Sequence, residues 1–206
     1  MNLKELFESL LGVTYIQLAE ETASYYTHRD GDTLYIFFEW SRGKTDWINN
    51  FDFPAKPYRD MADKWYCHRG FLRVFKACEE CIKDDVLDPT VKHIVIAGYS
   101  HGAAVAQLCH EYCKFNRPDI KIEGYGFGGP RVLWGNVSEP VRSRFSGFTL
   151  VCNGKDLITH LPPVLFGFRH VGSPLNIGEH IGPIKDHFPD RYRQALDEYE
   201  KEEEKI

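Results

Sequence analysis

A chain of 206 residues, 43% hydrophobic and 27% charged, can bury about 70% of its unfolded surface at this size, which excludes a disordered or fibrous polypeptide. A net charge of −5 excludes the basic patches on which nucleic-acid binders depend. No run of 18 apolar residues is present to span a membrane. Lys4, Glu5 and Glu8 interrupt the apolar N-terminus where a secretory leader needs an unbroken run, so a cytoplasmic protein is expected.

In chain order, Leu3, Leu6, Phe7, Leu10, Leu11, Thr14, Tyr15 and Leu18 recur at helical intervals and predict one long helix over residues 2–27, within an N-terminal segment 1–29 that packs on the domain. Thr33 to Trp40 (TLYIFFEW) predicts a buried strand. Residues 41–66 form a long connection, of which 54–66, carrying Tyr58, Met61, Trp65 and Tyr66, is a candidate short lid. A helix over 69–84, a strand at 92–97, a helix over 102–116 and strands at 121–127 and 148–153 follow. A further strand is expected at 166–171, a helix over 187–201, and a solvated acidic tail at 200–206. Cys78/Cys81 and Cys109/Cys113 fall at helical spacing, unsuited to disulfides or paired zinc motifs, and the six cysteines are read as reduced core residues. Strand–helix alternation without an internal linker predicts one α/β domain over 1–206, with a mostly parallel sheet flanked by helices and right-handed crossovers.

The chemistry centres on Gly98-Tyr99-Ser100-His101-Gly102. A Gly-x-Ser-x-Gly pentapeptide is short enough to occur by chance. Here it lies between an apolar strand (KHIVIA) and an Ala-rich helix (AAVAQLCHEYC), the setting of a sharp strand-to-helix turn that exposes a serine hydroxyl above the sheet edge. The helix N-terminus behind it offers a positive dipole to a developing oxyanion. A serine hydroxyl needs a base, and the base an orienting acid. On this kind of sheet the order is Ser, then Asp or Glu, then His. Asp156 follows the 148–153 strand through Asn153-Gly154-Lys155 and fits the acid; an ordinary turn aspartate is the competing reading. His160, His170, His180 and His187 are candidates for the base. His160 lies four residues past Asp156, and His170 lies within an expected strand. His187 follows a Gly/Pro-rich loop from which a side chain can return to the sheet edge, with His180 in reserve.

Several blocks in order over residues 30–192 resemble the class 3 (fungal-type) lipases of the α/β-hydrolase fold. TLYIFFEWSRGKTDWINNFDF is similar to that family's strand, oxyanion turn and Asp-Trp segment, and HRGF to its His-x-Gly-Phe. GYGFGGPRVLWGN, NGKDLITHLPP, FRHVGSP and DHFPDRY resemble its later blocks. The resemblance implies Ser100 as nucleophile, Asp156 as acid and His187 as base. It implies an oxyanion hole from Ser41 and the backbone N–H of His101, and a substrate-binding or lid role for Trp40, Tyr58, Trp65 and Tyr66. His68, His160 and His170 become structural or site-flanking. Glu39-Trp40-Ser41 departs from the family's Arg-Gly-Thr, and His101 from its leucine.

The activity expected is hydrolysis of acylglycerol or related lipid esters through an acyl-enzyme. A soluble carboxylesterase or phospholipase for short-chain or polar esters is the nearest alternative, and a non-catalytic binding protein of the same fold the alternative from another class. No cofactor or metal is implied. The partner expected is an ester or lipid, with transient contact to a lipid surface; the sequence does not set the oligomeric state.

Overall fold

A computed structural model describes residues 1–18, 23–40 and 65–204 in full and the backbone of 55–58. Its centre is a seven-stranded sheet. Strands β1 (Ile16–Gln17), β2 (Ser24–Asp30) and β3 (Thr33–Phe38) pair antiparallel in sequence. From β3 onward, β6 (His93–Tyr99), β7 (Lys121–Phe127), β9 (Phe148–Asn153) and β11 (Ser173–Ile177) run parallel, giving the order β1-β2-β3-β6-β7-β9-β11. Parallel strands need long crossovers. Two of these are helices α2 (Arg69–Leu87) and α3 (His101–Asn116). A second, antiparallel sheet is ordered β10-β8-β5-β4, from Phe168–Arg169, Leu133–Trp134, Trp65–His68 and Ala55–Tyr58.

Alternate residues of the parallel strands point to opposite faces. Ile36, Phe38, Ile94 and Ile96 face α2 and α3, joining Phe75, Leu108 and Phe148 in the larger cluster. Phe37, Val95, Tyr99, Phe127 and Val151 face the other way, where α1 (Leu3–Gly12) and the last helix, numbered α5 after the short α4 (Glu139–Ser143), lie. Helix α5 spans Pro189–Glu203. A reciprocal cap starts α1: the Glu5 N–H donates to Asn2 Oδ1 (2.8 Å) and the Asn2 N–H to Glu5 Oε2 (3.1 Å). Phe7 is fully buried, its ring centroid 4.9 Å from that of Phe127, 5.6 Å from Tyr99 and 5.8 Å from Tyr192.

Three sequence expectations need correction. The long helix over 2–27, read within the N-terminal segment 1–29, stops at Gly12, and Ser24–Asp30 is a strand. Gly12 and the β-branched Val13 and Thr14 weaken the helix. Asp30-Gly31-Asp32 then makes a hairpin, with Gly31 at φ 59° closing a two-residue loop onto Thr33. The strand expected at 166–171 shrinks to Phe168–Arg169 in the small sheet. The main sheet ends instead in Ser173–Ile177, an outermost strand where Pro174 loses no ladder bond on its free side. In the candidate lid, Ala55–Tyr58 and Trp65–His68 pair as arms of an antiparallel hairpin, and 59–64 lie outside the described residues.

Because Phe7 fills the space among three aromatic rings, Phe7→Ala is expected to lower stability by about 3–5 kcal/mol in urea unfolding. A change below about 1 kcal/mol would mean that α1 does not close this core.

Candidate active site

Ser100 ends β6 and caps α3, with φ 55° and ψ −121°, the one non-glycine residue at positive φ among the described residues. Such a conformation costs of order 1–3 kcal/mol and persists only where its surroundings enforce it. Here the Ser100 N–H donates to the Phe127 carbonyl (2.9 Å), and its own carbonyl accepts from the Ala103 N–H (3.1 Å). A Cβ on Gly98 would stand 2.1 Å from the Gly102 carbonyl oxygen, and one on Gly102 2.2 Å from that of Phe38. Both obstacles are backbone, which cannot swing aside, so both glycines are required for β6, α3 and β3 to meet.

His187 Nε2 lies 2.9 Å from Ser100 Oγ, and His187 Nδ1 lies 2.7 Å from Asp156 Oδ2. With Asp156 as a carboxylate, Nδ1 carries the proton and Nε2 is left to accept from the serine hydroxyl. Asp156 is wholly buried. Its Oδ1 accepts from the Ile158 N–H (2.8 Å), and its Oδ2 also accepts from the Tyr192 hydroxyl (2.8 Å). Tyr99 stacks on the His187 ring at 5.2 Å and donates its hydroxyl to the His187 carbonyl. Burial first, then the Asp156 charge, pushes both phenols far above their ordinary range, so both remain protonated donors.

Asp186, also wholly buried, ties the loops of Asp156 and His187 together. Its Oδ1 accepts from the N–H groups of Ile181 (3.0 Å) and Gly182 (3.2 Å). Its Oδ2 accepts from the Lys155 N–H (3.0 Å) and pairs with His180 Nδ1 (2.6 Å). Burial alone would raise this carboxyl, but the Lys155 N–H, His180 and the Ile181 and Gly182 N–H groups outweigh it and bring it down to about 2. Gly154, at φ 54°, lets the turn leading to Asp156 approach: a Cβ there would lie 2.8 Å from Asp186 Oδ2. Sequence reasoning passed over Asp186, Tyr192 and Tyr99. The first two sit inside the DHFPDRY block, the one signal that could have pointed to them.

The other expected residues separate. His101 opens α3 with its backbone N–H beside the serine; burial lowers its imidazole to about 4, so it is neutral near pH 7 and packs edge-on against Phe71 at 5.3 Å. Ser41 lies outside the described residues, as does the Tyr58 side chain. Trp40 is half-buried and packs against Tyr99 at 6.1 Å, one ring away from His187. The expected substrate-binding or lid role of Trp65 is corrected: it is buried against Phe145, committed to the core by its indole bulk. Tyr66 is exposed and meets Trp134 at 5.7 Å.

Of the remaining histidines, His68 caps α2 by accepting from the Gly70 N–H (3.2 Å) and stacks on Phe71. His160 Nδ1 lies 3.0 Å from the Asp156 carbonyl and His170 Nε2 2.6 Å from that of Thr159, so both brace the loop that carries Asp156. His180, the reserve base, is held by Asp186.

The family model for lipase (class 3) matches residues 35–166, and the chain belongs to that family. It is 30% identical over 152 residues to "Secreted mono- and diacylglycerol lipase 1" of Fusarium solani, covering 68% of this chain and 44% of that protein. It is 28% identical over 168 residues to a lipase of Rhizomucor miehei, covering 77% and 46%. The solved Rhizomucor miehei lipase–propeptide complex superposes with a TM-score of 0.67 at 26% identity, over 80% of this chain and 56% of that one. The fold is therefore that of the α/β-hydrolases. The chain spans about half the length of the curated relatives it matches.

The cytoplasmic expectation is overturned: the Fusarium solani relative is named as secreted. That expectation rested on the charged N-terminus, which is uninformative in a chain spanning only part of its relatives.

Two variants test the supports of this site. Tyr192→Phe removes one of the donors on Asp156 Oδ2 and is expected to lower kcat/KM for a soluble ester about tenfold, with KM little changed. Asp186→Asn is expected to cost about 2–3 kcal/mol near pH 7, since it replaces a buried carboxylate acceptor of four donors. A carboxyl whose folded pKa is depressed stabilises the fold above its unfolded pKa of about 3.9 and loses that contribution as pH falls toward 2. The gap between wild type and Asp186→Asn, measured by urea unfolding, should therefore hold steady above about pH 5 and narrow below about pH 4. A gap independent of pH would assign the effect to packing alone.

Proposed function

We propose that this chain is a serine carboxylic-ester hydrolase that cleaves acylglycerol or related lipid esters. The observation that carries the reading is the unbroken hydrogen-bonded line from Ser100 Oγ through His187 to buried Asp156, built on a strained elbow. Ser100 attacks the ester carbonyl carbon while His187 Nε2 takes its proton, and Asp156 steadies the imidazolium. The negative charge that forms on the carbonyl oxygen faces the His101 N–H at the start of α3. Ser41 is assigned as second donor on the family resemblance alone. One such donor lowers the barrier by about 2.7–4 kcal/mol. Collapse expels the alcohol, which receives the proton from His187. Water, deprotonated by His187, then attacks the acyl-enzyme and releases the carboxylic acid and Ser100. Family membership and the names of the relatives support a lipid ester as substrate.

Hydrolysis of p-nitrophenyl butyrate tests the chemistry. Ser100→Ala should reduce kcat by about 10⁴-fold or more and abolish labelling by a fluorophosphonate. Equal turnover by both proteins would overturn the reading. Rates above and below the solubility limit of tributyrin separate the substrate classes: a jump at the limit supports a lipase, and smooth saturation below it a soluble carboxylesterase.

A further inference from the structure

Asn153 closes β9 and is only 1% exposed, so its amide must find its partners within the protein. An asparagine followed by glycine at a strand end is commonly a turn residue whose side chain bonds the local backbone. Here main chain already fills that role. The Gly154 N–H donates to the Ile177 carbonyl (2.8 Å) and the Asp156 N–H to the Asn153 carbonyl (3.0 Å), which closes the turn and holds it to the end of β11. The amide points elsewhere. Its Nδ2 donates to the main-chain carbonyl of Asp186 (2.8 Å), 33 residues along the chain. Its Oδ1 accepts no hydrogen bond among the described residues and faces Gly178, where a Cβ would stand 2.2 Å from it. A buried acceptor left unpaired is costly, so the bond made by Nδ2 has to outweigh it.

The Asp186 carbonyl belongs to the peptide unit that ends at the His187 Cα. That unit is planar, so a hydrogen bond to its oxygen also restrains the Cα. The N–H of the same unit donates to the Ile184 carbonyl (3.2 Å) inside its own turn, which ties it to no other loop. The following peptide unit is held by the Tyr99 hydroxyl, which donates to the His187 carbonyl. Side chains from β9 and β6 therefore pin His187 on both sides of its Cα. Only the side-chain torsions are left to bring Nδ1 to Asp156 Oδ2 (2.7 Å) and Nε2 to Ser100 Oγ (2.9 Å). Asn153 reaches Asp156 as well: its N–H donates to the Tyr192 hydroxyl oxygen (3.2 Å), and that hydroxyl donates to Asp156 Oδ2. The Asp186 carboxylate joins the same two loops through Lys155, His180, Ile181 and Gly182, but none of those bonds falls on a peptide unit of His187.

We infer that Asn153 is a positioning residue for ester hydrolysis: its buried amide sets the place of the His187 imidazole against Asp156 and Ser100. It acts through His187 and touches none of the reacting atoms. Main chain on the Asp156 side and amide on the His187 side make one residue the spacer between the two loops. The inference rests on the ester-hydrolase reading and adds to it a residue that controls rate without binding substrate.

The test compares the full chain with its Asn153→Ala variant on p-nitrophenyl butyrate. Loss of the donor is expected to lower kcat about tenfold or more with KM little changed, since a misplacement of about 1 Å can cost about a hundredfold. A merely structural amide would leave the proton between His187 Nδ1 and Asp156 undisturbed. The downfield 1H NMR resonance of that proton should be present in the wild type, and shifted upfield or lost in Asn153→Ala. A wild-type kcat in the variant, a loss carried by KM alone, or an unmoved resonance would each overturn the inference. The wild type gives a further reading that needs no folded variant. The Asn153 Nδ2 protons should resist exchange with deuterium, and rapid exchange would overturn the inference as well. Failure of the wild type to hydrolyse the ester would instead count against the proposed function, while the resonance and the exchange would still decide the place of Asn153.

Discussion

At Ser100, backbone meets backbone. Strand β6 must turn into α3 within a single residue, and α3 must lie against the end of β3, so the Gly98, Gly102 and Phe38 main chains come together where no Cβ fits. The left-handed conformation of Ser100 is the geometric remainder of that convergence. Its strain is offset by the buried cores on both sheet faces, and it leaves the hydroxyl aimed at the edge where the other loops end. Every other part of the site is placed relative to this point, since β7, β9 and β11 are registered on β6 through the parallel ladder.

His187 reaches the serine by a longer route. His187 sits on a loop after the outermost strand, where few ladder bonds constrain the chain. Side chains do the constraining: Asp186 gathers the N–H groups of Ile181, Gly182 and Lys155, and Tyr99 clamps the His187 carbonyl and ring face. The loops that carry Asp156 and His187 share one buried carboxylate at Asp186 and contact each other again through the Asp156–His187 pair. A displacement of either loop therefore breaks charge-assisted bonds to two wholly buried carboxylates, where such bonds are strong. The same helix α5 that supplies Tyr192 to Asp156 packs that ring on Phe7. The aromatic core and the orientation of the Asp156 carboxylate are thus one mechanical unit.

The parts of the fold visible in the sequence were those governed by local pattern. Strands β3, β7 and β9 and helices α2 and α3 have unbroken apolar periodicity and were placed to within a few residues. The elbow was visible because its glycines are a steric requirement. The N-terminal helix was overextended because Thr14, Tyr15 and Leu18 keep helical spacing although β-branched residues and Gly12 end the helix. Strand β11 was missed because its membership depends on pairing with β9, a long-range property that Pro174 hides. Asp186 was missed for a similar reason. Its four partners lie on two loops, and nothing in one-dimensional spacing distinguishes a buried aspartate from a solvated one beside a histidine.

That hidden aspartate also explains why His187 lies on the short 3-10 turn Lys185–His187 ahead of α5 rather than on the helix itself. A histidine on α5 would be fixed by helix geometry and could approach Ser100 only along the helix face. Placed one residue before Phe188, which caps α5, His187 takes its direction from three sources outside the helix: the Asp186 network, the Tyr99 hydroxyl and the Asp156 carboxylate. Each source is anchored to a different strand end: β11, β6 and β9. Convergence of three strand ends on one imidazole over-determines its position and holds it within hydrogen-bond reach of Ser100 Oγ. The turn from Val164 to Phe166, free of that duty, is one whose side chains turn outward.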